Sequence, residues 1–162
     1  MIYIGLGANL KYKKNLSLVD SLNLAIEKMS YLSIKVLNKS SFFSSAPVPL
    51  TNQPWFVNSV ISIETTFAPV ELLKNLHSIE KEFGRKRDKK WGPRSLDLDV
   101  ISYNKIKSIS KINLPHPRMH ERAFVLYPLK ELDKNWIHPI SGKSVSQLIN
   151  ELPVGQVIRK IS

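Results

Sequence analysis

Residues 69–101 read PVELLKNLHSIEKEFGRKRDKKWGPRSLDLDVI, and three consecutive segments of that stretch decide the architecture. Pro69 suits the first turn of a helix, Leu72, Leu73, Leu76, Ile79 and Phe83 recur on one stripe, and Gly84 stands where a glycine stop belongs. The spacing therefore predicts a helix over 69–83. A basic run over 85–94 follows. Then Leu96, Leu98 and Val100 alternate with Asp97, Asp99 and Ile101, the signature of a strand with one apolar face and one acidic face.

Upstream, Met1–Leu6 reads as a first strand. Leu16, Val19, Leu22, Ile26 and Met29 repeat at helical spacing behind Asn15 as N-cap, which predicts a helix over 15–30. Ser33–Ser44 is rich in Ile, Val and Phe and reads as one strand. The segment Ser45–Pro54 carries three prolines and reads as a long loop, and Trp55–Thr65, with Ile61 and Ile63 alternating with Ser62 and Glu64, as another strand. Downstream, Pro115 and Pro117 fix a turn, residues 119–132 form an irregular helix interrupted near Pro128, and Ser144–Leu152 opens with a Ser-x-x-Gln capping box. The order βαββαβ with smaller elements after it predicts an α+β, ferredoxin-like sandwich: a mainly antiparallel sheet with helices on one side.

The 162 residues fit one domain, and 43% hydrophobic content is enough for a core without disulfides. With no cysteine, a disulfide scaffold, a thiolate metal site and a thiol nucleophile are excluded. The N-terminus lacks a basic leader and a small-residue cleavage site, and the long uncharged stretch Ser40–Ile63 is broken by three prolines, so neither a signal peptide nor a membrane helix is expected. The expected location is cytoplasmic.

A net charge of +11 points to polyanionic partners. Between Lys81 and Arg122 twelve basic residues face five acidic ones, so much of that excess lies in about a quarter of the chain. Residues i and i+2 of a strand project to the same side about 6.6 Å apart, so Asp97 and Asp99 set two anionic donors side by side, where a cation would offset their repulsion. Mg²⁺ suits: it takes one or two carboxylates, keeps waters and completes its octahedron with phosphate oxygens. Arg85, Arg87 and Arg94 carry planar forks that match phosphate oxygens in pairs. Metal plus arginines is an arrangement for phosphoryl transfer, which needs alignment and charge neutralisation more than a side-chain nucleophile. The bland alternative is a solvated polar strand face satisfied by lysines.

Other signals are weaker. Gly5-Leu-Gly7-Ala-Asn-Leu10 begins like a dinucleotide fingerprint but has Leu10 where the third glycine belongs, so either glycine is read as serving a tight strand exit. His116 and His120 stand four apart, yet the flanking prolines argue against a shared zinc face.

Four blocks together resemble the 6-hydroxymethyl-7,8-dihydropterin pyrophosphokinase family of folate biosynthesis: Gly5-Leu-Gly-Ala-Asn9, Gln53-Pro-Trp-Phe-Val-Asn58, Trp91-Gly-Pro-Arg-Ser-Leu-Asp-Leu-Asp99 and Leu114-Pro-His-Pro-Arg-Met-His-Glu-Arg-Ala-Phe-Val-Leu126. They occur in that family's order and cover residues 1 to about 150. The resemblance implies transfer of the β,γ-pyrophosphate of ATP to the pterin's hydroxymethyl group with release of AMP, on a ferredoxin-like fold. It implies that Asp97 and Asp99 hold two Mg²⁺ ions, that Arg85 and Arg94 steady the transferring group, and that Arg87, His116 and Arg122 contact phosphate. His77, Glu80, Trp91 and Val100 would contact the nucleotide. Phe56 and Phe124 would sandwich the pterin, with Asn58 on its edge, Ser45, Ala46 and Val48 reading the rest, and Trp91 closing over it from a basic lid over 84–94. Fusion to another folate-pathway domain is an expected variation. Ala8 stands where the family usually has Ser, and Pro49 where it usually has Gly.

Two other readings fit part of the pattern. A basic βαββαβ unit also describes an RRM, but the aromatic RNP strand is absent and Asp97 with Asp99 would repel a phosphate backbone, so no nucleic acid and no membrane partner is expected. A nucleotidyltransferase would share the metal but release pyrophosphate instead of AMP.

Overall fold

The computed structural model describes residues 1–84 and 93–161. The chain runs β1 (Ile2–Ala8), α1 (Leu18–Ser30), β2 (Lys35–Lys39), β3 (Phe43–Ser45), β4 (Phe56–Glu64), α2 (Pro69–Glu82), β5 (Asp97–Tyr103), the short pair β6 (Ser108–Ile109) and β7 (Asn113–Leu114), a 3-10 turn (Met119–Glu121), α3 (Ala123–Leu132), α4 (Val145–Asn150) and β8 (Ile158–Lys160). The main sheet has the order β5-β1-β4-β3-β8, with β2 also on β4. β1 lies antiparallel between β4 and β5, so the first strand is central and the last strand of the βαββαβ unit is its neighbour. That is the ferredoxin-like order the sequence predicts, extended at the β3 edge by β8. Among the described residues no helix is long and apolar enough to cross a membrane.

Local chemistry explains most element boundaries. Helix α2 begins at Pro69, whose missing N–H costs nothing in a first turn, and ends on Phe83 and Gly84, with Gly84 at φ 77°. The capping box of α4 is complete: Ser144 Oγ accepts from Gln147 N, and Gln147 Oε1 accepts from Ser144 N. Helix α1 starts later than its apolar spacing suggests, because the cap is Ser17, whose side chain accepts from Asp20 N, and not Asn15. The single strand expected over 33–44 is two. β2 pairs with the end of β4 and β3 with its beginning, and between them Ser40 Oγ accepts Val60 N–H and bonds Ser59 Oγ, so side chains bridge the gap in the ladder. Pro128 does not interrupt α3; the irregularity lies earlier, at Arg122, between the 3-10 turn and α3.

Helices cover both faces of the sheet, not one. Ile4 and Leu6 of β1 and Leu98 and Val100 of β5 pack with Leu22 and Met29 of α1 and Leu72 and Leu76 of α2. The opposite face carries Tyr3, Val60 and Ile101, which pack beneath Val125, Leu126 and Leu129 of α3 and, through them, Trp136 and Leu148. Tyr3 also donates from its hydroxyl to Asp133 Oδ2 at 2.9 Å; burial first, then this bond, raises the phenol's pKa well above its usual value. An RRM needs this second face open for bases. Here α3 covers half of it, and Asp97 and Asp99 stand on the rest, so the nucleic-acid reading finds no support.

Candidate active site

The uncovered half of the second face is the floor of a cavity of about 380 Å³, within the range of small-molecule sites. Antiparallel register builds that floor. Asp97 lies opposite Gly7 and Asp99 opposite Gly5 across β5 and β1, and Gly7 lies opposite Asn58 across β1 and β4. One transverse row therefore runs Asp97, Gly7, Asn58, from carboxylate to amide. Gly7 is needed there, because a Cβ on it would stand 2.8 Å from the buried Asn58 Nδ2; a Cβ on Gly5 would stand 3.1 Å from Ile101 Cδ1, a tight contact that a small shift of that side-chain tip relieves. Both glycines lie inside β1 and make room over the sheet, which corrects their reading as strand-exit residues.

At the amide end, Asn58 is buried and its Oδ1 accepts the Ser45 hydroxyl at 2.7 Å, so its amide is held in one orientation. Ser45, Ala46, Val48 and Phe56 line the same end, and Phe124, from the first turn of α3, also lines the cavity. The Arg122 guanidinium lies 5.4 Å from the centroid of the Phe124 ring, a cation–π distance that ties the aromatic wall to a cation.

At the carboxylate end, His77, Arg94, His116 and Arg122 line the cavity around Asp97 and Asp99. Arg94 Nη1 donates to Asp97 Oδ2 at 3.2 Å. The turn at Pro115–Pro117 is stitched to β5 by His116 N–H donating to the Ile101 carbonyl. Burial, then the positive charge of Arg122, lowers the pKa of His116 to about 4, against an opposing pull from Asp97. Its Nδ1 accepts Arg118 N–H at 3.1 Å, so the neutral imidazole carries its proton on Nε2 and can donate from there. Burial, then Arg118 and Arg94, also lowers the pKa of Arg122, while Asp99 and Asp97 oppose the shift. The cations at this end are thus crowded together, a prearranged positive field for an anionic ligand.

Asn9 holds the two ends in register. Its Nδ2 donates to Gln53 Oε1 and to the Pro54 carbonyl, both at 2.9 Å, while its Oδ1 accepts Arg94 N–H at 2.7 Å and its own N–H donates to Arg94 O. One buried amide fastens the loop before β4 to the backbone of Arg94. Asn9 and Gln53 fall within blocks that carry the family resemblance, but no spacing predicts this bond, because the partners are 44 and 85 residues away. Gln53 and Arg118 also line the cavity and were not among the expected site residues.

Two expected contacts stand elsewhere. Glu80 is buried and does not line the cavity: its Oε2 accepts Leu98 N–H at 3.0 Å, and Oε1 lies 3.9 Å from His77 Nε2. It fastens α2 to β5 beneath the carboxylate pair and adjoins His77. Val100 points into the core with α1 and α2. Arg85, Arg87, Trp91 and the rest of the expected basic lid up to Gly92, with Lys89 and Lys90, lie outside the described residues.

The donor set suits a hard divalent cation. Asp97 and Asp99 are half-buried and share one face of β5. Among the described residues no group of three His, Cys, Asp or Glu could hold a metal, so a cation on this pair would draw its remaining ligands from water and a phosphate substrate.

A protein-family model for 7,8-dihydro-6-hydroxymethylpterin-pyrophosphokinase matches residues 3–134. The 2-amino-4-hydroxy-6-hydroxymethyldihydropteridine pyrophosphokinase of Haemophilus influenzae is 40% identical over 159 residues, covering 97% of this chain and 96% of that one. The folic acid synthesis protein of Pneumocystis carinii is also 40% identical, over 93% of this chain, but this chain spans 20% of that protein's length. A crystal structure of a triple-mutant HPPK-DHPS from Plasmodium falciparum superposes with a TM-score of 0.68 at 13% identity, over 93% of this chain and 44% of that one, a likeness of fold.

Proposed function

Because the chain belongs to the 7,8-dihydro-6-hydroxymethylpterin-pyrophosphokinase family, we propose that it acts as one folded domain that transfers the β,γ-pyrophosphate of ATP to the hydroxymethyl oxygen of 6-hydroxymethyl-7,8-dihydropterin, releasing AMP. The observation that carries this reading is the continuous floor from Asp97 through Gly7 to Asn58, with cations at one end and an aromatic and amide lining at the other. Such a floor holds a polyphosphate and a flat heterocycle end to end, which is what an in-line transfer between them requires.

The pterin lies between Phe56 and Phe124, and the Asn58 amide, fixed by Ser45, hydrogen-bonds its ring edge. Ala46 and Val48 border the same end. His77 faces the nucleotide. Arg94, anchored through its backbone to Asn9, and Arg122 bind the transferring group, and neutral His116 donates a hydrogen bond to phosphate. The hydroxymethyl oxygen bonds to the β-phosphorus, the bond from that phosphorus to the α,β-bridging oxygen breaks, AMP leaves with the electron pair, and the hydroxyl proton passes to water. Asp97 and Asp99 would hold two Mg²⁺ ions, which when bound neutralise triphosphate charge and help align the attacking and leaving oxygens. Every other requirement of the step is alignment and positive charge, which the arginines and the rigid strand floor supply.

The test is turnover with ATP, MgCl₂ and 6-hydroxymethyl-7,8-dihydropterin, followed by chromatography of the products. The expected result is AMP and dihydropterin pyrophosphate in equal amounts, with no AMP when pterin is omitted. Release of inorganic pyrophosphate in place of AMP would shift the reading to nucleotidyl transfer.

A further inference from the structure

The two walls of the cavity come from distant parts of the chain, residues 45–58 and 116–125, and one short segment touches both. After α4 the chain reverses at Gly155, whose φ of 92° is a left-handed conformation that favours glycine, and enters β8. On the way in, the Gln156 side chain forms a paired contact with the start of α3: its Oε1 accepts Ala123 N–H at 2.9 Å and its Nε2 donates to the Glu121 carbonyl at 2.8 Å. The next residue holds the other wall, because the Val157 carbonyl accepts Ala46 N–H at 3.1 Å and Ile158 pairs with Ser45.

The position of the Gln156 contact matters. The first helical N–H of α3, that of Ala123, has no carbonyl partner within the helix and is satisfied by the Gln156 side chain. The two backbone groups bound by Gln156 bracket Arg122, and Phe124 follows directly. Both of those side chains line the cavity, whereas Gln156 does not. Residues 156–158 also fall beyond the part of the chain that the family model matches.

We propose that Gln156 is a positioning residue for the pterin subsite: with Val157 it forms a strut between the two walls and sets the spacing of Phe124 from the Ala46 and Phe56 side. This rests on the assignment of the aromatic end to the pterin. A side chain that binds only backbone can be removed without removing any substrate contact, so its loss appears as a looser slot, in KM for the pterin, and not as a loss of chemistry.

The experiment is steady-state kinetics of the full chain, varying 6-hydroxymethyl-7,8-dihydropterin and ATP separately, for the wild type, Gln156→Met and Gln156→Glu. Methionine keeps the side-chain volume and loses both bonds, which protects folding; glutamate keeps the acceptor for Ala123 N–H and loses the donor. The strut predicts that Gln156→Met raises KM for the pterin roughly three- to tenfold, the size of about one net hydrogen bond, because only part of the loss of the two backbone bonds is felt at the slot, with kcat within about twofold. Gln156→Glu, which turns a carboxylate oxygen toward the Glu121 carbonyl, should raise it at least as much. An unchanged pterin KM in Gln156→Met would overturn the proposal, as would a fall in kcat at constant KM or a wild-type pterin KM in Gln156→Glu. Should either variant fold poorly, pterin KM is read on the folded fraction at lower temperature, and the same outcomes decide. Absence of pterin-dependent turnover in the wild type would instead overturn the functional assignment and leave the strut as a structural contact.

Discussion

The two faces of the central sheet are built from the same strands and do opposite work. On β1, Ile4 and Leu6 point to the α1 and α2 side and are closed off from water, while Gly5 and Gly7, one residue along, face the cavity. On β5 the same alternation sets Val100 in the core and Asp97 and Asp99 in the site. One face is filled with branched side chains; the other sets glycines and carboxylates on the cavity floor. A single register therefore fixes both the packed core and the carboxylate face, since a one-residue slip would bury the carboxylates and expose the core.

If the faces are separable in this way, substitutions on them should fail in separate ways. The largest effect belongs to the carboxylates: Asp97→Ala or Asp99→Ala should lower kcat by about a thousandfold or more, as expected when charge stabilisation of a transferring phosphoryl group is lost, while the melting temperature stays within a few degrees. Substantial turnover in either variant would break the separation. On the other face, Ile4→Ala, at a fully buried position, should cost about 3 kcal/mol in denaturant unfolding and leave KM for both substrates unchanged in the folded fraction.

The third effect depends on pH. His116 has a folded-state pKa of about 4 against about 6.5 when unfolded, so the unfolded chain binds the extra proton first. Its contribution is fully present above about pH 6.5 and is lost as pH falls toward 4. With the ring only partly buried, a loss on the order of 2 kcal/mol is expected across that window, and His116→Gln should flatten the slope. An identical pH profile for the variant would show that the imidazole is not held neutral by its surroundings. The smallest effect is the most local: Gly7→Ala should push Asn58 away from Ser45 and raise KM for the pterin by about tenfold, with KM for ATP little changed.

Periodicity and terminators made α2 and β5 legible, and with them the carboxylate pair, because a leucine stripe, a glycine stop and an Asp-x-Asp alternation are local signals. The cap at Ser17 was harder to read because Asn15 is an equally good cap by type, and only the Asp20 N–H contact distinguishes them. The gap at Ser40 needed a partner strand to become visible. A helix on the second face is not legible because Tyr3, Val60 and Ile101, against which α3 buries its stripe, stand beside Ile4, Ile61 and Val100 of the other face, so neither face is marked out by alternation. Within the site, residue types and motif blocks point to most of the cavity lining. What they do not reveal is who holds those residues: Asn9 on Arg94, Glu80 beneath Leu98 and Gln156 on α3 are long-range bonds to backbone, and backbone groups leave no mark in a sequence.

We propose that the acidic face of β5 binds the nucleotide together with a metal ion. Calorimetric titration with α,β-methylene-ATP, with and without MgCl₂, on the wild type and the Asp97→Ala, Asp99→Ala double variant tests it most directly. The predicted result is wild-type binding strengthened by Mg²⁺, and a double variant in which that strengthening is gone while the protein remains folded. Equal Mg²⁺ dependence in both proteins would show that Asp97 and Asp99 do not hold the metal.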